Sequence, residues 1–253
     1  MNLNSNVKDL ARTAVSRSLP TGILDRAPAL RGTRFLAGAS RRATKDRPFQ
    51  LVNVGACDGV LFDDVTPWLH RISGSRAVLV EPIPYNQKRL RENYPDTDRF
   101  IIEPVAVTQE EGVIRIKTFD ISALEAGTLP LEFIGCSSLT DSNLMSGKDA
   151  WGKDDANFEQ FAAHLTDIDV QGDTLQNILD RNGVEHIDAF LVDCEGADWA
   201  VFDQLDLERY RPGMIKIEIG ALSTEDMGKV LVKLNAAGYQ VGLYAADVWA
   251  FAD

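Results

Sequence analysis

Two groups of residues in this chain have the types and the spacing to hold a small ligand and act on it. The first is Asn53-Val54-Gly55-Ala56-Cys57-Asp58-Gly59, an apolar run that breaks into a glycine-bearing turn, followed by Val78-Leu79-Val80-Glu81-Pro82, a second apolar run that ends in a carboxylate. The interval between them is about one βαβ unit. A turn that lets backbone approach a ligand, paired with an acid that accepts hydrogen bonds from ribose hydroxyls, is how an open α/β sheet holds a nucleoside. The second group is Asp193-Cys194-Glu195-Gly196-Ala197-Asp198, after the run Ala189–Val192, together with Ile217-Glu218-Ile219-Gly220. In a parallel sheet Asp193, Glu195 and Glu218 come to the same carboxyl edge as the turn. A positioned carboxylate there can take the proton of an attacking hydroxyl, a contribution of roughly 10²–10⁴-fold. Alignment of the reacting atoms supplies more, on the order of 7–11 kcal/mol. Three close carboxylates repel one another, so something must offset them: a protonated acid, a divalent cation held by Asp193, Glu195 and Glu218, or positive charge on the ligand. Glu195 and Asp198 also suit the N-terminus of a following helix.

The turn narrows the choice of nucleoside. The dinucleotide fingerprint is Gly-x-Gly-x-x-Gly, whose middle glycine admits a pyrophosphate. Residues 55–59 lack that glycine and carry Asp58, which would repel a pyrophosphate. An acid there suits a ligand bearing an ammonium and a sulfonium, namely S-adenosylmethionine. The expected cofactor-binding residues on this reading are Asn53, Gly55, Ala56, Cys57, Asp58, Gly59, Glu81, Pro82 and Asp193.

These residues need a scaffold, and the pattern from Pro48 onward supplies one. Strands expected at 49–54, 76–80, 99–104, 187–192 and 214–219 alternate with helical patterns at 59–70, 85–94, 174–181 and 224–237. That alternation is the signature of a parallel sheet covered on both faces. Residues 113–117 alternate apolar and basic and read as a further strand; 239–244 and 248–251 read as a closing pair. Residues 120–165 are irregular and glycine-rich, and are expected to form a lid or substrate insertion with one helix near 154–164. At its end, His164 is a weaker candidate for the general base, and Trp151, Phe158 and Phe161 pack that helix or touch substrate. His70 and His186 read as solvated or turn histidines. No His spacing suits a metal.

Ahead of this body, Val7, Leu10, Ala11, Ala14 and Val15 fall at helical spacing, with Asn4 or Ser5 as cap and Pro20 as stop. Residues 31–47 read as a small, basic tether. The domains expected are therefore a basic head over 1–48 and one catalytic domain over 49–253. Residues 1–49 hold ten basic and three acidic side chains, a net of +7; the remainder holds 16 and 35, a net of −19. A body so acidic is a poor partner for nucleic acid, whose binding rests on phosphate neutralisation. The basic helix suits packing on the protein or peripheral contact with an anionic membrane surface through residues 1–19. The three cysteines form no Cys-x-x-Cys pair, and no apolar run approaches a signal core or a membrane span. The expected location is the cytoplasm, with the inner membrane surface as the variant that the head allows.

Taken in order, Asn53–Gly59, Val80-Glu81-Pro82, Val105-Ala106, Ser137-Ser138-Leu139, Asp173-Thr174-Leu175 and Asp193–Ala197 resemble the FkbM-type S-adenosylmethionine-dependent methyltransferases. The resemblance covers about residues 50–251. It implies a Rossmann-like, doubly wound α/β fold with a seven-stranded sheet, mostly parallel with the last strand antiparallel. It also implies O-methylation of a small-molecule, saccharide or lipid-linked acceptor. On the same footing Gly55 and Gly59 wrap the methionine part, Glu81 holds the ribose, Ala106 lies beside the adenine, and Asp193 and Glu195 form the acidic motif. Two positions depart from the family pattern. Asn53 stands where an Asp is usual, and Asp58 is expected to compensate; Leu191 stands where a Lys is usual, which favours a bound cation or raised carboxylate pKa values. The competing readings are a non-catalytic binding or scaffold module on the same fold and, against the missing glycine, an NAD or nucleotide-sugar enzyme.

Overall fold

A computed structural model of the chain describes residues 27–44, 46–61, 63–135, 137 and 163–252. The expected basic helix near residues 4–19, Cys136, Ser138, Leu139, and the segment with Trp151, Phe158 and Phe161 lie outside those residues. In chain order the strands are β1 (Gln50–Val54), β2 (Arg76–Val80), β3 (Phe100–Glu103), β4 (Ala106–Val107), β5 (Gly112–Phe119), β6 (Leu165–Asp173), β7 (Ala189–Val192), β8 (Met214–Glu218), β9 (Gln240–Tyr244) and β10 (Asp247–Phe251). The helices are α1 (Ala27–Arg42), α2 (Pro84–Asn93), α3 (Ile121–Glu125), α4 (Leu175–Arg181), α5 (Asp198–Phe202) and α6 (Thr224–Ala236).

Seven strands form one sheet in the order β3-β2-β1-β7-β8-β10-β9. All pairings from β3 to β8 are parallel, whereas β10 runs antiparallel to both β8 and β9. The expected seven-stranded, mostly parallel sheet with a reversed last strand is therefore present. The central strands read as continuous apolar runs because both faces are covered. Val52, Val54, Val78, Val80, Phe190 and Val192 join one core with Leu175, Ile178, Phe202, Val230 and Leu234 from α4, α5 and α6. The intervening Leu51, Leu79, Ala189 and Leu191 join the other core with Leu36, Leu69, Ile72, Leu90, Tyr94 and Trp249. The helix starts follow the sequence: the Thr174 hydroxyl accepts from Asn177 N–H at 3.2 Å and the Ser223 hydroxyl from Asp226 N–H at 3.0 Å. A cap of this kind contributes about 1 kcal/mol.

Two expectations are corrected, and a segment that the sequence left unassigned gains a strand. The tether expected over 31–47 is mostly helix α1, packed on β9 and β10. A Cβ on Gly32 would meet the Trp249 ring at 2.4 Å, and Leu36 and Ala39 are buried. Small residues carry little hydrophobic signal, yet they are what a close helix-to-sheet approach requires. The helix expected over 59–70 survives only as a 3₁₀ turn over Thr66–His70. Asp58 accepts from Val60 and Leu61 N–H, and Asp63 from Val65 and Thr66 N–H, so side chains take the donors a helix would use. Finally, residues 165–173 are strand β6, antiparallel to β5 and parallel to β4 in a separate three-stranded sheet. Aspartates are poor strand formers, but Asp167 and Asp169 lie opposite Lys117 and Arg115 and pair with them at 3.0 and 2.9 Å.

Candidate functional site

At the carboxyl edge of the large sheet lies a cavity of about 330 Å³. Of the residues expected at a cofactor site, Asn53, Gly55, Ala56, Cys57, Glu81, Pro82, Ala106 and Asp193 line it, as do Glu195 and Glu218. Near Glu81 the wall is apolar, with Ile83, Ala106, Ile114 and Ile116 packed together. Towards β8 and β10 it is charged, with Asp63, Lys216 and Asp247 joining the expected acids.

The turn after β1 is held by its neighbours on both sides. Gly55 and Ala56 N–H both donate to the Val80 carbonyl at 3.0 Å. Gly55 has φ +83°, and a Cβ there would lie 1.7 Å from the Asp193 carbonyl oxygen, so the position admits only glycine. Cys57, at φ +49°, turns its N–H to Glu81 Oε2 at 2.8 Å, while Ile83 N–H donates to Oε1 at 2.8 Å. Glu81 is thus fixed at the rim by backbone donors. Burial nevertheless pushes its carboxyl up to about 7. Beside it the Asn86 amide donates to the Ile134 carbonyl at 2.9 Å and leans towards Glu81 Oε1 at 3.4 Å.

Asp58 and Gly59 stand apart from the cavity lining. Asp58 pairs with Arg89 at 3.0 Å and is buried, and the Gly59 carbonyl accepts from the Tyr94 hydroxyl at 2.7 Å. Asp58 therefore does not compensate for Asn53, because its charge is spent on Arg89. The acid that does approach is Asp63, whose Oδ2 accepts from Asn53 Nδ2 at 3.0 Å. His164 also lies off the cavity; its carbonyl accepts from Asp120 N–H at 2.8 Å.

The acidic motif forms a tight loop. Asp198, buried at the start of α5, accepts from Cys194 N–H at 2.8 Å and Gly196 N–H at 2.9 Å, and this holds Glu195 at φ +49°. Glu218 accepts from Gly220 N–H at 2.5 Å and Ala221 N–H at 3.3 Å. Asp193, Asp198 and Glu218 each bring one carboxylate oxygen within 4.8 Å of the others, so Asp198 takes the place expected for Glu195 in that trio. Burial first, and then the neighbouring carboxylates (Asp193 and Glu218 for Glu195, Asp198 and Asp193 for Glu218), push Glu195 and Glu218 up to about 8, and burial followed by the Asp198 charge pushes Asp193 up to about 7. Asp193 faces the open cavity, so solvent screens part of that push. Burial, followed by the neighbouring carboxylates, pushes both the Cys57 and Cys194 thiols up, which leaves little reactive thiolate.

Lys216 answers the absence of a lysine at Leu191. It is the register partner of Leu191 on the adjacent strand, and its ammonium lies 3.2 Å from Asp64 and 3.4 Å from Asp247. Burial alone would lower its pKa, but Asp247, Asp64 and Asp63 outweigh this and keep it charged. Asp63, Asn86, Lys216 and Asp247 were not singled out by sequence. For Asp247 a signal existed: on a reversed strand the first residue, not the last, reaches the carboxyl edge.

The sequence model of the Methyltransferase FkbM domain matches residues 53–241. No curated protein matches the chain. Among solved structures, methyltransferase FkbM from Methylobacillus flagellatus KT is 14% identical with a TM-score of 0.47; the match covers 90% of this chain and 61% of that one. Precorrin-6y C5,15-methyltransferase from Geobacter metallireducens GS-15 is 11% identical with a TM-score of 0.37, over 87% of this chain and 86% of that one. Ribosomal protein L11 methylase from Lactobacillus delbrueckii subsp. bulgaricus is 10% identical with a TM-score of 0.37, over 87% and 77%. The family match spans the glycine turn, Glu81 and the acidic motif alike, and on that match the chain belongs to the FkbM methyltransferase family.

Proposed function

We propose that this protein transfers a methyl group from S-adenosylmethionine to a hydroxyl oxygen of a saccharide, glycolipid or secondary-metabolite acceptor. The observation that carries this reading is the clasp between Cys57 N–H and Glu81 Oε2 at 2.8 Å, which opens onto the same cavity as Asp193, Glu195 and Glu218. The residues fit the cofactor. Gly55 permits close backbone approach, Glu81 retains acceptor capacity for ribose, the wall of Ile83 and Ala106 suits adenine, and the carboxylates match an ammonium and a sulfonium. When bound, the cofactor supplies a methyl group on a positively charged sulfur. The chain's own task is to orient the acceptor and receive its proton. Asp193, Glu195 and Glu218 are the candidates, and their carboxyl groups, raised towards neutrality, are better bases near pH 7 than an ordinary carboxylate. Lys216 offsets part of the charge at Asp193, while Glu195 and Glu218 are left raised and ease their repulsion by holding protons.

The test is calorimetric titration with S-adenosylmethionine and S-adenosylhomocysteine. Micromolar binding that Glu81→Ala abolishes, with the variant's thermal unfolding intact, supports the proposal. Absence of heat with either ligand overturns it. Transfer of labelled methyl to a hydroxyl acceptor in a cell extract would then separate an enzyme from a scaffold module.

A further inference from the structure

Most of the positive charge ahead of the sheet does not lie in the first amphipathic stretch. Residues 1–26 carry a net of +2, whereas residues 27–49 carry a net of +5. Much of the latter belongs to α1, whose sequence holds four arginines and no acid. At 3.6 residues per turn, positions 30, 34 and 41 project on one side of a helix and positions 32, 36 and 39 on the other. The inner row is Gly32, Leu36 and Ala39, all buried where α1 packs on β9 and β10. The outer row is Leu30, Arg34 and Arg41, all exposed, Leu30 by 54%. Arg31 flanks this row; it donates to the Gln240 side chain at 2.6 Å and lies 4.6 Å over the Phe251 ring, and neither partner cancels its charge. Arg71 adjoins the C-terminal half of α1, where its carbonyl accepts from the Ser40 hydroxyl at 3.5 Å, and its guanidinium lies 5.3 Å over the Trp68 ring. Among the described residues none of these four arginines pairs with a carboxylate. Beside a body of net −19, this face holds four uncancelled positive charges around one exposed leucine.

We propose that the outward face of α1, continued by Arg71, is a docking surface for an anionic lipid bilayer. The charge of the face is complementary to such a surface, and each arginine held near it adds to the attraction. Leu30 separates a bilayer from the other polyanions: lipid offers it an apolar boundary to enter beside the headgroups, whereas nucleic acid phosphates offer it nothing. The acids on the other faces of the body oppose a flat surface little, because charges more than about 8 Å away are screened at physiological salt. The docking face is also near the cavity. Gly32 packs on the Trp249 ring, and the Lys216 ammonium in the cavity wall lies 5.5 Å from the centroid of the same ring. A bilayer against the outer side of α1 would thus stand about 10 Å, one helix diameter, beyond that ring, where a lipid-linked acceptor could be presented. The docking itself does not rest on the methyl-donor reading.

The experiment sediments the full chain with vesicles of phosphatidylcholine alone and of phosphatidylcholine with about one third phosphatidylglycerol, at low and at high salt. The wild type should bind the anionic vesicles only, and rising salt should release it. One arginine near such a surface contributes about fivefold in binding, so the pair Arg34→Gln and Arg41→Gln should bind about 25-fold more weakly. The pair Arg34→Lys and Arg41→Lys keeps the charge and should bind like the wild type. Both pairs lie on the solvent side of α1 and should leave thermal unfolding unchanged. Neutralising the head instead, with Lys8→Gln, Arg12→Gln and Arg17→Gln, tests the other location. If that variant is released while the α1 glutamine pair stays bound, the contact belongs to the head and the proposal is overturned. Equal binding to neutral vesicles, or no binding to either kind, overturns it as well. So does tighter binding of RNA or DNA than of anionic vesicles at the same salt, lost in the α1 glutamine pair, which would assign the face to nucleic acid.

Discussion

Gly55 sits where the end of β1 passes over the end of β7, and no side chain fits between them. Gly55→Ala must displace the Asp193 carbonyl and hold φ near +83°. It should cost at least about 1–3 kcal/mol of stability from backbone strain and steric displacement. It should also abolish S-adenosylhomocysteine binding; thermal melts and calorimetry check the two effects separately. Lys216 acts through charge rather than shape. It faces Asp247 and Asp64 directly and pulls the Asp193 carboxyl downwards. In Lys216→Met the apolar stem remains and the ammonium goes, so the acids rise further. The acidic limb of the kcat/KM profile should move to higher pH, with less change at the alkaline plateau. An unmoved limb would show that Lys216 does not tune the acids.

At the scale of elements, Arg181 on α4 joins the two sheets. It pairs with Glu103 on β3 at 2.7 Å and with Asp173 at the end of β6. Burial would raise Glu103, but Arg181 and Asn182 outweigh it; burial would raise Asp173, but Asn177 and Arg181 outweigh that, so both carboxyls lie below their ordinary values. Groups with lowered folded pKa values contribute stability above the ordinary carboxylate range, near pH 4, and lose it as pH falls through their folded values. Arg181→Met should therefore destabilise by about 1–3 kcal/mol at neutral pH, less than the roughly 3–5 kcal/mol of a fully buried pair because Arg181 is partly solvated. The deficit should shrink as pH falls from about 5 to below 4 and both acids approach protonation at their lowered folded values. Denaturant melts of wild type and variant across that range check it, and a pH-independent deficit would contradict the ion-pair account.

Over the whole molecule, charge is the dominant asymmetry. The body beyond residue 49 carries a net of −19, and its cavity gathers acids raised towards 7 and 8. Acids with raised folded pKa values hold protons that the unfolded chain has released, so the ligand-free protein should lose stability as pH rises from about 5 to 8. A cationic ligand favours the ionised forms. Binding of S-adenosylmethionine should therefore release protons and tighten over the same range, more than binding of S-adenosylhomocysteine, which lacks the sulfonium charge. Calorimetry in buffers of different ionisation heat measures the release directly; no difference between the two ligands would count against the acids as the cofactor's counter-charge. Among the described residues no helix is long and apolar enough to cross a membrane. Peripheral membrane contact through residues 1–19 and a saccharide or lipid-linked acceptor both remain proposals.

The sequence alone determined the strand order's raw material. Short, mostly apolar runs ending in Gly55, Glu81, Asp193 and Glu218, alternating with helical patterns, read as strands of a parallel sheet covered on both faces, and their ends then share one edge. Local signals of short range, such as the Thr174 and Ser223 caps, were legible for the same reason. The tertiary structure decided what depends on partners distant in sequence. It gave Asp58 to Arg89 and brought Asp63 to Asn53 in its place. It set Lys216 beside Leu191 across two strands, and reversed β10 so that Asp247 joined the acids. Periodicity records which face of an element is buried. Which charge stands opposite which is fixed only when the strands are laid in register.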